Sequence, residues 1–429
     1  MALLLLLALS GCTSPTPAPP GPPEVERPQA RDDAPDILII SVDTLRADRL
    51  STWGYARDTS PNLDTLAASA IRFDRAVAPA PWTLPSVTSL FTGLMPTEHG
   101  VVSRDWQLPD ARETLAERAL AAGYETAFFG VNAAFVTGHG LSQGFETWRP
   151  HSGLSGRQLN REVLDFLASR ADPRPLFLVV HYFEPHCRYN PPRDVADRYL
   201  PRAHAPVPLT RERYDAMGDC FKLQREDGTP ELDLAIYRAR YDAEVREVDR
   251  LIGELWGAVS HREPWLGVLA DHGEAFWEHG AHGHGSQLYD EQIRVPMLVR
   301  PPGGTEARVE AHAISTLWLT AAADAVLAGR PAPDYPALAF SETDYGGAHL
   351  RAVVREHDKI IRDRSSGAAL RFALQSDAGE RSPVSDAGAF GVLEAALETH
   401  LAGVEAGTAE PRERGAEEAR QLEALGYQE

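Results

Sequence analysis

The stretch Asp36–Asp43 (DILIISVD) decides the fold of this chain. Its apolar run from Ile37 to Val42 is bounded by charged residues, a pattern typical of a strand buried on both faces of a mostly parallel sheet. Similar runs recur at Thr126–Val131, Leu176–Tyr182, Leu266–Ala270 and Val295–Val299. Helical patterns lie between them, at Asn62–Ser69, Arg157–Ala168 and Leu232–Val259. Because strands alternate with helices, the sequence predicts an α/β sandwich.

Acidic residues follow two of these predicted strands directly. Asp43 ends the first strand, and Asp271-His272 ends the strand at Leu266–Ala270. Ligands of open α/β sheets collect at the carboxyl ends of the strands, so we expect these three side chains to converge on one divalent metal ion. Mixed oxygen and nitrogen ligands favour Zn or Mn over Ca or Mg. A simpler alternative, an aspartate that only caps a following helix, stays open for each residue alone.

The chain changes character after about Pro331. Shorter mixed segments follow at Ala337–Glu342, His349–Val354, Lys359–Arg362 and Leu370–Leu374, with a final helix near Val392–Leu401. We therefore predict a catalytic domain over residues 36–330 and a small antiparallel C-terminal subdomain over residues 331–402. A charged tail occupies residues 403–429.

The N-terminal segment predicts export. Residues 1–11 form an apolar run too short to span a membrane and typical of a signal peptide. They end in Leu9-Ser10-Gly11-Cys12, which resembles a bacterial lipobox, so we expect a lipid anchor on Cys12. The alternative is an ordinary signal peptide with an incidental cysteine. Residues 12–35, rich in Pro and Ala, predict a disordered tether that holds the protein at the bacterial cell envelope.

The amino-acid composition limits the classes of binding partner that the protein can have. The 429 residues carry 42 Lys and Arg against 62 Asp and Glu, a formal net charge of −20. Phosphate backbones are bound through clustered basic residues, so this charge argues against a nucleic-acid partner. Outside Cys12 the chain has Cys187 and Cys220, which either form one disulfide or remain buried thiols.

The order of several segments resembles the sulfatase family of the alkaline-phosphatase superfamily. The N-terminal segments are Asp36–Arg49 (DILIISVDTLRADR), Ser60–Ala67 (SPNLDTLA), Trp82–Gly93 (WTLPSVTSLFTG) and Pro96–Gly100 (PTEHG). The later segments are His181–Pro192 (HYFEPHCRYNPP), Ala270–Glu274 (ADHGE), Gly283–Arg300 (GHGSQLYDEQIRVPMLVR) and Leu422–Tyr427 (LEALGY). The resemblance implies an alkaline-phosphatase-like sandwich and an ester hydrolase.

The chain departs from the family pattern at the nucleophile. The family's Cys/Ser-x-Pro-x-Arg motif aligns with Thr83–Val87 (TLPSV), and threonine cannot become formylglycine. The family's paired acids are reduced to Asp43-Thr44, and its Lys-x-His falls near Val131-Asn132-Ala133, where neither side chain is present.

An acid, a threonine, an aspartate and a histidine remain together, which resembles lipoteichoic acid synthases and phosphoethanolamine transferases. That resemblance implies a metal-activated Thr83 nucleophile, with Asp43, Thr83, Asp271 and His272 as the metal ligands. Coordination to a cation lowers the pKa of a hydroxyl. The helix predicted to start near Leu84-Pro85 adds an anion site at its N-terminus.

Further roles follow from the resemblance. His186 and His284 align with positions that contact the ester and protonate the leaving group, and histidine suits general acid work. His282 is an alternative ligand. Arg46 and Asp48 are expected to brace the metal loop. We expect the remaining side chains of interest to be structural or to form pocket walls, namely His99, His139, His181, His279, Trp82, Trp148 and Tyr182.

The predicted function is hydrolysis of a sulfuric or phosphoric (di)ester of a small molecule, a glycan or a lipid headgroup. Two alternatives stay open, transfer of a phospho-substituent to an alcohol and a binding protein that has lost turnover. The missing Lys, His and Arg favour phosphodiesters or phosphonate monoesters over aryl sulfates, with phosphate monoesters least favoured. Arg104 or Arg188 folding back into the pocket would oppose that order.

Overall fold

A large central sheet carries the fold. The computed structural model describes residues 28–200, 231–386, 388–403, 407 and 409–412. Eight strands form the sheet in the order β11-β2-β10-β7-β1-β6-β4-β5. Their bounds are β1 Ile37–Val42, β2 Ile71–Val77, β4 Glu125–Val131, β5 Thr147–His151, β6 Leu176–Tyr182, β7 Trp265–Ala270, β10 Arg294–Arg300 and β11 Arg308–Ser315.

The sheet is mostly parallel, as predicted. Strand β10 is antiparallel to both of its neighbours, and every other pairing in the sheet is parallel. All six residues of β1 are buried, which explains why its sequence is apolar without alternation. Strands β2, β5 and β11 were not predicted, because charged residues such as Arg72, Asp74 and Glu310 interrupt their apolar pattern.

Helices cover the faces of the large sheet and of a smaller one. Their bounds are α1 Pro61–Ala67, α2 Thr83–Thr92, α3 Pro96–His99, α4 Leu115–Ala121, α5 Ala133–Val136, α6 Gly156–Ser169, α7 Arg193–Tyr199, α8 Glu231–Val259, α9 Asp290–Ile293, α10 Leu317–Leu327 and α11 Gly391–Gly403. The predicted helices correspond to α1, α2, α6, α8 and α11. Among the described helices, none combines the length and the apolar character that crossing a bilayer requires.

A separate antiparallel sheet follows the large one in the chain. It has four strands, β12 Ala339–Thr343, β13 Leu350–Arg355, β14 Asp358–Asp363 and β15 Ala369–Ala373, paired in sequence order. One face packs against Leu288 and Ile293 of the main body, and the other packs against Leu393 and Leu397 of α11. Two further pairs are short, β3 Trp106–Gln107 with β16 Glu410–Pro411 and β8 Ala275–Phe276 with β9 His282–Gly283.

A buried charge cluster joins the small sheet to the large one. Lys359 on β14 is fully buried, and its Nζ lies 3.0 Å from Asp290 Oδ1 and 2.7 Å from Glu380 Oε1. Arg75 on β2 contacts the same aspartate at 2.6 Å. Removing one member would leave a buried charge without its partner, so the cluster fixes how the two sheets pack.

Several predictions fall on parts of the chain that the structure leaves undescribed. The signal peptide, Cys12 and most of the tether lie outside the described residues, as do most of the tail and Cys220. Cys187 is disulfide-bonded, which agrees with the first of the two alternatives for the cysteines. The predicted domain boundaries at residues 330 and 402 stay predictions.

Candidate active site

The carboxyl ends of four neighbouring strands lie side by side in the middle of the large sheet. Strands β7, β1, β6 and β4 are adjacent, and Asp43, Asp271-His272 and Asn132 directly follow β1, β7 and β4. Backbone hydrogen bonds continue past the strand ends, from the amide of Asp43 to the carbonyl of Tyr182 and from Asp271 to Val42. The backbone therefore holds these side chains in place in the centre of the sheet.

Asp43, Asp271 and His272 form a compact group. One ligand atom from each lies within 4.8 Å of the others, and all three residues are buried. Asp43 Oδ1 and Asp271 Oδ2 are buried and have no hydrogen-bond partner among the residues that the structure describes. The Nδ1–H of His272 donates to the carbonyl of Gly273 at 2.9 Å, so in the neutral ring the Nε2 lone pair faces the two carboxylates. Two carboxylate oxygens and one ring nitrogen that face one another suit a divalent cation.

The pKa values of the group reflect strong coupling. Burial raises the pKa of Asp271 to about 6, and the charge of Asp43 adds to that shift. Burial alone would lower the pKa of His272, but Asp271 and Asp43 raise it to about 9. Burial alone would also raise the pKa of Asp43, yet the neighbouring His186, His181 and His272 hold it well below its usual range. Without a cation, protonated His272 balances the carboxylates, so metal binding must displace that proton.

Thr83 lies at the first turn of α2 beside this group. Its Oγ1 is 3.3 Å from His272 Nε2. The hydroxyl of Ser86 donates to the carbonyl of Asp271 at 2.6 Å, which ties α2 to the end of β7. Trp82 at the N-cap makes no side-chain cap hydrogen bond, and Pro85 has no N–H, so no cap bond from the Trp82 side chain occupies the amides of Thr83 and Leu84 at the start of this helix.

Asn132 connects the acid to the threonine. Its Oδ1 accepts the backbone N–H of Ala134 at 2.9 Å, which fixes the orientation of the amide. Its Nδ2 therefore faces the site and donates to Asp43 Oδ2 at 2.7 Å and to Thr83 Oγ1 at 3.4 Å. A neutral amide here links two of the predicted site residues.

Two histidines, His284 and His186, lie next to the group formed by Asp43, Asp271 and His272. The His284 Nδ1–H donates to Glu274 Oε1 at 3.0 Å, so Nε2 is the ring nitrogen that this bond leaves unused, and the His284 ring lies 4.4 Å from the ring of His272. Tyr189 donates to the other oxygen of Glu274 at 3.3 Å. Burial alone would raise the pKa of Glu274, but the charge of His284 and its hydrogen bond lower it. The His186 ring is 5.1 Å from His284, and burial lowers the pKa of His186.

A narrow cavity opens beside Thr83. Its volume is about 20 Å³, near the space that one water molecule fills. The walls come from the segment before α2, the end of β4, the loop after α3 and the small sheet. They include Trp82, Thr83, Leu84, Arg104, Asn132, Ala133, Ala134, Thr137, His139, His284 and Tyr345.

A model of the sulfatase family matches residues 35–325. The chain belongs to the sulfatase family. The ulvan-active sulfatase of Formosa agariphila is 26% identical over 302 residues, which cover 63% of this chain and 56% of that protein. The iduronate 2-sulfatase of Mus musculus is 24% identical over 338 residues, which cover 64% of this chain and 60% of that protein. This sulfatase-family chain thus spans less than two thirds of the length of these relatives.

Solved structures share the architecture. The phosphonate monoester hydrolase of Agrobacterium radiobacter has a TM-score of 0.69 at 19% identity, covering 86% of this chain and 95% of that one. BT4656, solved with its substrate D-glucosamine-2-N,6-O-disulfate, has a TM-score of 0.69 at 17% identity, covering 92% and 99%. Likeness at this level of identity concerns the fold, and it confirms the predicted sandwich with its small second sheet.

Other predicted residues of this sulfatase-family chain lie near the group formed by Asp43, Asp271 and His272 or outside it. His181, expected to be structural, lies beside the group, with Nε2 3.6 Å from Asp43 Oδ2. His282 is exposed and stacks on Trp277, outside the metal group. Arg46 donates to the backbone carbonyl of Glu274 at 2.8 Å and pairs with Asp48, which is the geometry expected of a brace.

Two further histidines are held by structural contacts. The Nε2–H of His99 donates to the carbonyl of Pro85 at 3.2 Å, and burial lowers the pKa of His99 to about 3. His279 contacts Glu291 at 2.6 Å and stacks on Tyr289. Neither ring lines the cavity beside Thr83.

Sequence reasoning missed three residues at this site. Asn132 directly follows a buried strand as Asp43 and Asp271 do, so its position in the sequence is the signal that could have found it. Glu274 lies in the segment Ala270–Glu274, and no local spacing indicates that it orients His284. Tyr345 comes from the 3-10 turn after β12, and its ring centre lies 5.1 Å from that of Trp82 with the two rings tilted. This contact joins segments far apart in the chain, so no local sequence pattern predicts it.

Proposed function

We propose that this chain is a metal-dependent hydrolase of sulfuric or phosphoric esters that uses Thr83 as its nucleophile. The observation that carries the proposal is the convergence of Asp43, Asp271 and His272, with unpaired buried oxygens, next to the hydroxyl of Thr83. We propose that these three residues and Thr83 hold one divalent ion, with Zn or Mn favoured by the mixed ligands. Such an ion lowers the pKa of a bound hydroxyl and neutralises charge on the group transferred.

The protein's own groups position the reaction. Asn132 holds Thr83 and Asp43 in a fixed relation by donating to both. The amides of Thr83 and Leu84 at the start of α2 can bind an anionic oxygen of the ester. Glu274 orients His284, whose Nε2 can give a proton to the leaving oxygen. The intermediate would be an ester of Thr83, which water then cleaves.

The relatives support an ester substrate and leave its kind open. The ulvan-active sulfatase acts on a sulfated glycan by its name, and the phosphonate monoester hydrolase on a phosphonate. A sulfate monoester presents three terminal oxygens, whereas a phosphodiester presents two. One cation and one pair of helix amides match two oxygens, so we predict that phosphodiesters or phosphonate monoesters are cleaved faster than aryl sulfates. Arg104 on the cavity wall opposes this order and narrows the expected difference. A sulfate preference beyond about tenfold in kcat/KM, about 1.4 kcal/mol, would refute this order.

The test combines metal analysis with matched nitrophenyl substrates and the variant Thr83→Ala. We expect one divalent ion per chain, and we expect Thr83→Ala to lose turnover while it keeps most of its metal, because three ligands remain. Thr83→Ser should retain partial activity. Thr65→Ala is the control, since Thr65 is exposed on α1 and its hydroxyl bonds only to the carbonyl of Pro61 within the same helix.

Each other outcome selects a different function. Full activity of Thr83→Ala would mean that water or another residue attacks. Turnover that appears only with an added alcohol acceptor would identify a transferase. Metal binding without turnover of any ester would identify a binding protein.

We further propose that the protein is exported and anchored at the bacterial cell envelope through a lipid on Cys12, as the N-terminal sequence predicts. Labelling with a fatty-acid analogue tests this proposal, because Cys12→Ser should abolish both the label and recovery in the membrane fraction.

A further inference from the structure

We infer that Arg104 binds the anionic group of the substrate beside Thr83 and that Arg412 positions Arg104. The inference rests on the proposed function and deepens it, because it names the side chain that recognises the anion. No family motif marks Arg104, which stands in the loop between α3 and β3.

The negative charge around Thr83 indicates that an anionic substrate needs a cationic side chain in the cavity. Three buried carboxylates, those of Asp43, Asp271 and Glu274, surround the reaction centre. One divalent ion balances two of them, so an anionic ester needs further positive charge to enter. Among the described residues that line the cavity beside Thr83, Arg104 is the only arginine or lysine.

The guanidinium lies on the wall of the cavity. Its Cζ is 5.8 Å from the centre of the Trp82 ring, within the range of a cation–π contact, and Trp82 immediately precedes Thr83. A planar guanidinium presents two parallel N–H groups, which match two oxygens of a sulfuryl or phosphoryl group. Arg104 therefore offers from the cavity wall the grip that the absent Lys-x-His would have given.

The C-terminal end of the described chain holds the loop that carries Arg104. Strand β16 pairs with β3, the backbone N–H of Arg412 donates to the carbonyl of Asp105 at 2.9 Å, and Arg412 Nη1 donates to the carbonyl of Arg104 at 3.1 Å. His139 donates from Nδ1 to the carbonyl of Trp106 at 2.8 Å, and its Nε2 lies 3.4 Å from Arg412 Nη1. These bonds fix the backbone from Arg104 to Trp106.

The segment that carries Arg412 also packs closely at Gly407, five residues before it. Gly407 donates to the carbonyl of Thr97, and a Cβ on Gly407 would come within 2.4 Å of the backbone nitrogen of Gly100. Residues 407 and 409–412 thus lie tightly along the loop from Gly100 to Trp106. Arg412 acts on substrate only through Arg104, so it is a positioning residue.

The experiment measures anion binding separately from turnover. Inorganic sulfate and inorganic phosphate are titrated into the full-length, metal-loaded protein by calorimetry, and the same ions are tested as inhibitors of nitrophenyl ester cleavage. Arg104→Met removes the charge and keeps an unbranched side chain over Trp82. Arg104→Lys keeps the charge but lacks the two parallel N–H groups of the guanidinium. Arg161→Met is the matched control, since Arg161 is exposed on α6.

We expect Arg104→Met to weaken anion binding at least tenfold, Arg104→Lys to recover part of the loss, and Arg161→Met to match the parent. Binding by Arg104→Met within twofold of the parent would overturn the assignment, provided that circular dichroism and metal content show an intact protein. If the parent binds the anions through Arg104 but cleaves no ester, the proposed function fails and the binding assignment stands.

A double-mutant cycle tests the role of Arg412. Arg412→Ala should weaken anion binding about threefold or more in the parent, and less than twofold in the Arg104→Met background. Equal losses in both backgrounds would show that Arg412 acts independently, which would overturn its role as a positioning residue.

Discussion

Replacing Asp271 with asparagine should stabilise the metal-free protein and destabilise the metal-bound one. Burial and the charge of Asp43 raise the pKa of Asp271 from 3.8 to about 6 in the folded chain. A carboxyl group whose folded pKa is raised destabilises the fold when it ionises. The cost is absent below about pH 3.8, grows between the two pKa values and is complete above about pH 6.

The magnitude follows from the shift. A change of about two pKa units corresponds to about 3 kcal/mol at pH 8. The gain from Asp271→Asn will be smaller, because the amide is also buried, although its oxygen can still accept the N–H of His272 as Asp271 Oδ1 does at 2.8 Å. We expect about 1–2 kcal/mol of added stability in chelator at pH 8, and almost none near pH 4.

With metal bound, we expect the parent to be more stable than the Asp271→Asn variant. A cation at one hundred times its dissociation constant stabilises the parent by about 2.7 kcal/mol, and the variant loses most of that because it lacks one charged ligand. Urea unfolding in chelator and in excess Mn or Zn measures both effects, with Asp165→Asn, an exposed position on α6, as the control. A variant that is less stable than the parent in chelator, or that gains as much from metal, would refute the account of this site.

Three further predictions concern neighbouring groups. Asn132→Ala should lower kcat by about 10–100-fold with most of the metal still bound, because Thr83 loses a donor that positions it; unchanged kcat would argue against that role. His284→Gln should slow alkyl esters about 10²–10⁴-fold and nitrophenyl esters much less, since a good leaving group needs no proton; an equal loss on both would exclude a general acid. Lys359→Met should destabilise the fold by about 3 kcal/mol at pH 8 and by less at pH 6, as urea unfolding would show. The pH dependence arises because burial raises the pKa of Glu380 to about 7 while Lys359 lowers it, so in the variant the pKa rises further and this carboxyl takes up a proton more readily.

The central strands of the fold were predictable because their residues report a single, uniform environment. Strand β1 is buried on both faces, so its apolar run coincides with the observed strand from Ile37 to Val42. Strand β11 at the edge of the sheet has exposed and charged residues at its start, and its pattern resembles a loop. Burial on both faces leaves a clear trace in a sequence, whereas an edge position does not.

The site was partly predictable for a similar reason. Asp43 and Asp271-His272 follow buried strands, so their common edge could be inferred from the rule that parallel strands end together. Arg104, His139 and Tyr345 reach the cavity from loops, and the pairing of β16 with β3 decides where Arg104 lies. Contacts between segments about 300 residues apart are not encoded in any local spacing, which is why such residues emerge only from the structure.

The energetic cost of the site argues for chemistry rather than for a retained fold alone. Asp43 and Asp271 place two carboxylates in a buried space, where hydrophobic residues of similar volume would often be as stable or more so. A polar cluster of this kind stabilises a protein only if each group is satisfied. Asp43 Oδ1 and Asp271 Oδ2 have no hydrogen-bond partner within the described chain, although His272 Nε2 lies 3.4 and 3.6 Å from them and balances part of their charge. A binding protein that needed only the sandwich would gain stability by losing these acids. Unsatisfied lone pairs beside a threonine hydroxyl, a helix N-terminus and an oriented imidazole are instead what a metal-assisted ester hydrolase requires, and the stability lost to them is the cost expected of a preorganised active site.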